Sequence, residues 1–442
     1  MPARGVIVSA ARSGAGKTVI TLALIAALRR RGLTVRAAKL GPDYIDPAFH
    51  AAATGAASIN LDSWAMSPAL IAALAADAAS AADMFVIEGA MGLFDGIAGR
   101  RGRRGTTADL AAHLRLPVLL VLDVTGQSQS AAALLRGFAT HDSAVRIAGV
   151  ILNRLGSERH RALVAEAIAG LKPPIAIVGA LPRDEVLALP ERHLGLVQAG
   201  EHADLSARLD RLAAFASRHL DLDAIAALTA APCLPAPLSL EETQPLPPPG
   251  QRIALAADPA FTFVYPHVLA GWRRAGAEIV NFSPLADEPP PAHCDCCWLG
   301  GGYPELHAGA LANACCFRTG LVRFAQNAPV HGECGGYMVL GRWLEDADGI
   351  RHPMAGLLGH ATSFARRKLH LGYRAARLLA NCPLGTTGTV IRGHEFHYAA
   401  EVASGEDQPL AELADGEGRK LGRCGARRGQ VTGAFFHAIA RA

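Results

Sequence analysis

The sequence predicts an α/β protein of two domains joined by a proline-rich linker. In the first half of the 442 residues, short β-branched runs alternate with alanine-rich amphipathic stretches. This alternation is typical of βαβ units, in which helices cover both faces of a mostly parallel sheet. Seven prolines lie between residues 232 and 249 and indicate an extended linker. Since a second α/β half follows, we expect domains at 1–230 and 251–442 and a linker at 231–250.

The strands of the first domain are predicted from short apolar runs with β-branched residues. These runs cover residues 5–10, 35–40, 84–88, 118–123, 147–153 and 175–180. Helical patterns lie between them at 19–31, 67–82, 127–141 and 158–171. The second domain begins in the same way, with strands predicted at 252–257, 278–282, 296–299 and 330–332. After Met354 turn residues recur about every ten positions, which predicts a β-rich end.

Composition excludes several classes of function. A net charge of +4 over 442 residues gives no support for a nucleic-acid partner. No apolar run reaches the roughly 18 residues of a membrane span, and a strand begins almost at the first residue, which leaves no room for a signal peptide. The nine cysteines do not form a disulfide framework. We therefore expect a cytoplasmic protein that binds neither membranes nor nucleic acid.

A phosphate-binding loop is predicted directly after the first strand. The run Gly14-Ala-Gly-Lys-Thr18 ends a loop that opens a helical pattern. In such a loop backbone N–H groups bind phosphates, Lys17 reaches the terminal phosphates and Thr18 binds Mg²⁺. Gly14 and Gly16 supply the tight turn, although Ala11 stands where the usual pattern has its first glycine. The sequence thus predicts ATP binding.

Two acidic residues are candidates to complete the Mg²⁺ site with Thr18. Glu88 closes the strand at 84–88, and Asp43 follows the strand at 35–40. Ligands bind at the carboxyl ends of parallel strands, where both acids should lie. The alternative, solvated loop acids, is the default for any carboxylate. A second open question is the loop at 99–105, whose four arginines fit either an anion clamp or a solvated loop.

Cys334 has the sequence context of a nucleophile elbow. An apolar segment enters the run Gly332-Glu-Cys-Gly-Gly336, and a helix-like apolar segment follows. A sharp strand-to-helix turn of this kind presents a side chain at the edge of a sheet, and a helix N-terminus should lower the pKa of the thiol. The alternative is a buried structural cysteine.

Two further clusters contain residue types that bind metal ions. Gly393-His-Glu-Phe-His397 carries two histidines three residues apart, which point to opposite faces of a strand. The C-x-x-C of Cys294 to Cys297 has no second pair to complete a zinc site, so it is interpreted as a core strand.

Together the motifs resemble the glutamine-dependent a,c-diamide synthases that amidate cobyrinate or hydrogenobyrinate in cobalamin biosynthesis. Seven stretches from end to end carry the resemblance. They are Lys39-Leu-Gly-Pro-Asp-Tyr-Ile-Asp-Pro47, Glu88-Gly-Ala-Met-Gly-Leu-Phe-Asp-Gly96, Gly149-Val-Ile-Leu-Asn-Arg154, Leu189-Pro-Glu-Arg-His-Leu-Gly195, Leu299-Gly-Gly-Gly-Tyr-Pro-Glu305, Glu333-Cys-Gly-Gly336 and Gly393-His-Glu-Phe-His-Tyr398. The resemblance implies a dethiobiotin-synthetase-like P-loop domain fused to a class I glutamine amidotransferase domain.

The resemblance also implies roles for residues. Cys334 would be the glutaminase nucleophile and His437 its base, although His394 and His397 compete for that role. The oxyanion hole would be formed by Gly301, Gly302 and Gly335. The ATP and substrate site would include Asp43, Tyr44 and Asp95. Class I histidines are followed two residues later by a glutamate, but here Ile439 takes that place. The third member is therefore unassigned, with Glu395 as one candidate.

The expected reaction is an ATP- and glutamine-dependent amidation of the a and c carboxylates through acyl phosphates, with Mg²⁺ as cofactor. The corrinoid acid, glutamine and ATP are then the partners, and a homodimer is compatible with the resemblance. The alternatives are a cobyric acid synthase, which amidates other side chains, and a regulatory P-loop switch. A switch would have no use for the Cys334 elbow. The sequence does not decide whether the acceptor carries cobalt.

Overall fold

The computed structural model describes residues 4–80, 82–187, 191–192, 195–196, 198–201, 204–230, 243 and 245–442. Internal contacts divide the chain into two units, Met1–Thr243 and Gln244–Ala442. Most of the predicted linker lies outside the described residues, as does part of the 189–195 motif. Among the described helices, none is both long enough and apolar enough to cross a membrane.

A parallel sheet forms the centre of the first unit. Its strands are β1 (Arg4–Ala10), β2 (Val35–Leu40), β3 (Ile59–Leu61), β4 (Met84–Glu88), β5 (Val118–Asp123), β6 (Ile147–Leu155) and β7 (Ala176–Pro182). The order is β3-β2-β4-β1-β5-β6-β7, with parallel pairing throughout. Every residue of β4 and β5 is buried, which explains their uninterrupted apolar sequences. The chain reverses its direction across the sheet at β1, the position where such sheets bind ligands.

Helices of the first unit connect these strands. They are α1 (Lys17–Arg30), α2 (Ile45–Thr54), α3 (Pro68–Ser80), α4 (Thr107–Leu114), α5 (Ser130–His141), α6 (Glu158–Ala169), α7 (Leu205–His219) and α8 (Leu222–Leu228). A two-residue pair, β8 (Glu191–Arg192) and β9 (Gly195–Leu196), lies between β7 and α7. The six predicted strands are confirmed. β3 was not predicted because three residues carry too little pattern, and α2 was not predicted because Pro47 sits in its first turn.

The second unit also begins around a mainly parallel sheet. Its strands are β10 (Arg252–Ala256), β11 (Glu278–Phe282), β12 (Cys296–Leu299), β13 (Val330–Glu333), β22 (Ala426–Arg428) and β23 (Val431–Ala434). Their order is β11-β10-β12-β13-β23-β22, with only β22 antiparallel to its neighbour among the described strands. The helices are α9 (Pro266–Arg274), α10 (Ala308–Asn313), α11 (Cys315–Phe324) and α12 (Gly335–Leu340).

The predicted β-rich end is confirmed as two smaller sheets. Their strands are β14 (Trp343–Glu345), β15 (Arg351–Pro353), β16 (Ala361–Ser363), β17 (His370–Leu378), β18 (Val390–His397), β19 (Ala400–Ala403), β20 (Ala411–Asp415), β21 (Lys420–Cys424) and β24 (His437–Arg441). One sheet has the order β15-β14-β16-β19 and the other the order β21-β20-β17-β18-β24. The important step for function is the return of β23 to pair with β13, because β24 then begins beside the cysteine elbow.

Candidate active sites in the two units

The loop after β1 has the backbone conformation that a phosphate-binding loop requires. Gly14 and Gly16 have φ values of 71° and 92°, which L side chains rarely adopt. A Cβ on Gly16 would also lie 2.5 Å from Nδ2 of Asn153, whose amide donates to the carbonyl of Ala15 at 2.8 Å. α1 begins at Lys17 without an acidic residue in its first turn, so its N–H groups and dipole are available to an anion.

Oxygen atoms from three side chains meet beside this loop. The Thr18 hydroxyl donates to Glu88 Oε1 at 2.6 Å and lies 3.4 Å from Asp46 Oδ2. The ammonium of Lys39 donates to both acids, at 2.5 Å to Asp46 and 2.7 Å to Glu88. Glu88 is fully buried at the carboxyl end of β4. The structure therefore brings Thr18 and Glu88 together, as expected, and adds Asp46 and Lys39.

Asp43 has a different position. Its Oδ1 accepts the backbone N–H groups of Ile45 at 2.7 Å and Asp46 at 3.0 Å, so it caps the start of α2. Tyr44 is the residue directly before that helix. Asp95 accepts the N–H of Gly92 at 2.9 Å and closes a turn. Asp43 therefore contributes to the oxygen cluster indirectly, by capping α2. Asp46, in the first turn of the same helix, supplies the carboxylate of the cluster.

Lys39 and Glu88 stabilise each other's charge in this cluster, whereas burial and the neighbouring Asp43 outweigh Lys39 and raise the pKa of Asp46 to about 7. Burial alone would lower the pKa of Lys39, but Asp46 and Glu88 outweigh it and raise that pKa. Burial opposes the ionisation of Glu88, yet Lys39 and His50 hold its pKa below the usual range. His50 is fully buried and its Nε2 lies 2.7 Å from Glu88 Oε2. Nothing in the sequence marked this histidine, which is one of three buried polar residues on α2, with Asp46 and Thr54.

Most arginine side chains of the loop at 99–105 make contacts within the first unit. Arg104 pairs with Asp109 at 2.8 Å and Arg101 with Asp142 at 2.5 Å. Arg103 donates to the carbonyl oxygens of Trp64 and Met66. Three of the four arginines therefore make contacts within the first unit, which is more than a solvated loop requires, and the anion clamp stays a prediction.

Cys334 lies at a sharp turn between β13 and α12. Its φ of 48° and ψ of −102° are strained for a residue with a side chain, as in a nucleophile elbow. Its N–H donates to the carbonyl of Ala434 at 2.8 Å. A Cβ on Gly336 would lie 2.1 Å from the carbonyl oxygen of Leu299, so the turn requires glycine there.

The expected lowering of the thiol pKa is wrong for this structure. Burial raises the pKa of Cys334, and the nearby Glu305 raises it further, while a hydrogen bond from the Gly335 backbone only partly offsets this. Cys334 is 2% exposed, and α12 has only six residues, so desolvation outweighs the short helix. The thiol therefore needs a neighbouring base to become nucleophilic.

The three candidate oxyanion-hole glycines lie around the elbow. A Cβ on Gly301 would lie 3.3 Å from Cys334 Cβ and 2.4 Å from His437 Cε1. A Cβ on Gly335 would lie 3.0 Å from the backbone nitrogen of Gly302. Gly301 thus touches both the cysteine and the histidine, and no side chain fits between them.

His437 is fully buried at the first position of β24. Burial, followed by the charges of His394 and His397, holds its pKa well below the usual value, so the resting ring is neutral and its protonated form is disfavoured by these surroundings. The rings of His437 and His394 stack with centroids 5.1 Å apart. Glu395, the candidate third member, instead accepts from Arg374 Nε at 2.6 Å.

The histidines of 393–397 and the cysteines of 294–297 have contacts other than a metal ion. Nδ1 of His394 lies 3.0 Å from the hydroxyl of Tyr265, whereas Nδ1 of His397 lies 2.9 Å from the carbonyl of Ala399. Cys296 and Cys297 are buried in β12, as a core strand requires. Within the described residues, no group of three or more His, Cys, Asp or Glu side chains could hold a metal ion.

Comparison with known proteins covers both units. A family model described as CobQ/CobB/MinD/ParA nucleotide binding domain matches residues 6–197, and one described as CobB/CobQ-like glutamine amidotransferase domain matches residues 252–442. The chain is 63% identical over 442 residues to a hydrogenobyrinate a,c-diamide synthase of Mesorhizobium japonicum, with all of both chains covered. Proteins of the same name from Agrobacterium fabrum and Rhodobacter capsulatus are 57% and 54% identical, and the matches cover 100% and 99% of both chains.

Proposed function

The chain belongs to the hydrogenobyrinate a,c-diamide synthase family, and from this we propose that it amidates the a and c carboxylates of that tetrapyrrole acid with ATP and glutamine. One observation carries the proposal. The same chain holds an oxygen cluster at a phosphate-binding loop and a strained cysteine elbow beside a neutral histidine. A nucleotide switch would need only the first of these sites.

The ATP site fits Mg²⁺. Its donors are the hydroxyl of Thr18 and the carboxylates of Asp46 and Glu88, and a hard cation prefers such oxygen ligands. The ammonium of Lys39 pairs with both acids, so two negative charges are brought together at this position. The sequence predicts Asp43 as a ligand of Mg²⁺. Its support is indirect, because Asp43 caps α2, the helix whose first turn carries Asp46. When bound, Mg²⁺ would neutralise charge on the phosphate oxygens.

The chain's own groups then do the positioning. N–H groups from Gly14 to Thr18 hold the phosphates, and Lys17 balances the charge that builds up on them. A carboxylate of the acceptor attacks the terminal phosphorus, and ADP leaves. The resulting acyl phosphate reacts with ammonia, which expels phosphate and forms the amide. Tyr44 and Asp95 line the same end of the sheet and are proposed acceptor contacts.

Ammonia comes from the cysteine elbow. His437 takes the thiol proton as Cys334 Sγ attacks the side-chain amide carbonyl of glutamine. Because the resting thiol pKa is raised, this proton transfer must accompany the attack. The N–H groups of Gly301, Gly302 and Gly335 are proposed to stabilise the oxyanion. Ammonia leaves with the proton from His437, and water then hydrolyses the thioester.

Product analysis tests the proposal. The protein is incubated with ATP, Mg²⁺, glutamine and either hydrogenobyrinic acid or its cobalt-loaded counterpart, and the products are identified by mass spectrometry and NMR. The names of the relatives favour the metal-free acid, so we expect its a,c-diamide. Amides on other side chains would support a cobyric acid synthase activity instead, and no ATP-dependent product would refute both.

A further inference from the structure

Glu333, the last residue of β13, has contacts that its position next to the nucleophile alone does not require. It is 4% exposed. Its Oε1 accepts the backbone N–H of Ala438 at 2.9 Å, and its Oε2 lies 4.0 Å from Nδ1 of His437. One carboxylate thus holds the residue after the proposed base and faces the ring of that base.

The topology explains how the preceding residue can reach the base. β13 and β23 are parallel neighbours, and Glu333 lies opposite Ala434 in their register. His437 follows only three residues later, at the start of β24. Glu333 therefore links the strand that carries the nucleophile to the strand that carries the base.

The other positions for an orienting carboxylate are occupied differently. Ile439, at the usual glutamate position, is a buried apolar residue. Glu395 follows His394 on β18, and His394 is opposite His437 in the register. Neighbouring side chains on a strand point to opposite faces, so Glu395 points away from His437 and toward its partner Arg374.

We propose that Glu333 is the positioning residue of the Cys334–His437 pair, completing the glutaminase site from the residue before the nucleophile. Its Oε1 fixes the start of β24 through Ala438. Its Oε2 accepts a hydrogen bond from Nδ1–H once the ring has received the thiol proton at its other nitrogen. The proton thus moves from Sγ to His437, and Glu333 acts in its carboxylate form. This inference rests on the glutaminase activity proposed above.

The surroundings of Glu333 make this interaction strong. Burial raises the pKa of Glu333 to about 8, and the hydrogen bond from Ala438 offsets only part of that. A carboxylate that is costly to ionise in an apolar site gains most when a cation forms beside it. Formation of the imidazolium is therefore coupled to ionisation of Glu333.

The test is a comparison of Glu333→Gln, Glu333→Asp and Glu395→Gln in the full chain. Glutamine can still accept from Ala438 but carries no charge, so we expect glutaminase kcat to fall about 10²-fold with little change in KM. Alkylation of Cys334 by iodoacetamide, followed by peptide mass spectrometry, should slow at neutral pH. Amidation driven by ammonium should stay near wild type, which shows that the protein is folded.

The two other variants separate charge from structure. Glu333→Asp keeps the charge one methylene further away and should recover part of the lost turnover. Glu395→Gln, the loss of one half-buried carboxylate that pairs with Arg374, should retain kcat and the alkylation rate. Wild-type kcat in Glu333→Gln, or a loss in Glu395→Gln instead, would overturn the assignment. If the wild-type protein itself hydrolysed no glutamine, the proposed function would fail rather than the role of Glu333.

Discussion

Glu88→Gln is the most informative change in the first unit, because both carboxylate oxygens of Glu88 have identified hydrogen-bond partners. Oε1 accepts from Thr18 and Lys39, and Oε2 contacts His50. The amide has nearly the same volume, but it removes one of the two anions that pair with the buried ammonium. Breaking a buried ion pair costs about 3–5 kcal/mol. Since Lys39 keeps Asp46, we expect the lower end, about 3 kcal/mol.

The effect on pH dependence has a definite sign. The folded pKa of Glu88 is lower than its unfolded value near 4.5. Its contribution to stability is therefore complete above pH 4.5 and is lost as the pH falls below that value. Glu88→Gln should remove this acid sensitivity. Hydrogen exchange of β4 peptides against urea concentration measures the first unit without interference from the second.

Activity should change as well. Ammonium-driven amidation should become about 10²-fold slower or more and should need more Mg²⁺ for half-saturation, because the proposed ligand has lost its charge. Asp109→Asn is the matched control, since it breaks the Arg104–Asp109 ion pair in the same unit but outside the phosphate-binding loop. It should destabilise the protein without moving the Mg²⁺ titration. An unchanged rate and Mg²⁺ titration in Glu88→Gln would refute its role as a metal ligand.

Three other changes give separable results. Lys17→Ala should abolish amidation with either nitrogen source while some glutamine hydrolysis remains, and a near-normal ammonium-driven rate would exclude the P-loop from the reaction. Cys334→Ser should lower glutamine hydrolysis by orders of magnitude while high ammonium restores the diamide, and retained glutamine use would remove Cys334 as nucleophile. The folded pKa of Glu333 is near 8 and its unfolded value is 4.5. As the pH rises between these values, wild type should therefore lose stability relative to Glu333→Gln, by about 1.4 kcal/mol per pH unit. Urea titrations of the second unit measure this difference. Parallel pH profiles for the two proteins would contradict the buried, ionisable Glu333.

The sequence predicted those parts of the fold that depend on local pattern. β4 and β5 are buried on both faces, so their apolar runs were unambiguous. α2 was missed because Pro47 resembles a helix breaker, although proline is tolerated in a first turn. Without α2, the sequence did not show whether Asp43 or Asp46 supplies the carboxylate beside Thr18, because this depends on where the helix begins.

Features that depend on distant pairing could not be predicted. The thiol pKa follows from how deeply the elbow is buried, which a Gly-rich sequence does not reveal. The contact between Glu333 and His437 requires that β23 return to β13 across about one hundred residues. Glu333 is part of the sequence motif around Cys334, but only the register between β13 and β23 shows that it faces His437.

The two sites illustrate opposite uses of a buried carboxylate. Glu88 is surrounded by Lys39, His50 and Thr18, so its charge is compensated before any ligand binds. Glu333 has a backbone N–H and a neutral ring, so its charge is uncompensated until His437 accepts a proton. The first arrangement stabilises the resting fold, whereas the second costs resting stability and favours the charged state of the base. Replacing Glu333 by glutamine should therefore increase stability at pH 8 while slowing glutamine hydrolysis, and replacing Glu88 should lower both stability and activity. A variant of Glu333 that gained stability without losing turnover would break this reasoning, because the same missing charge is held responsible for both effects.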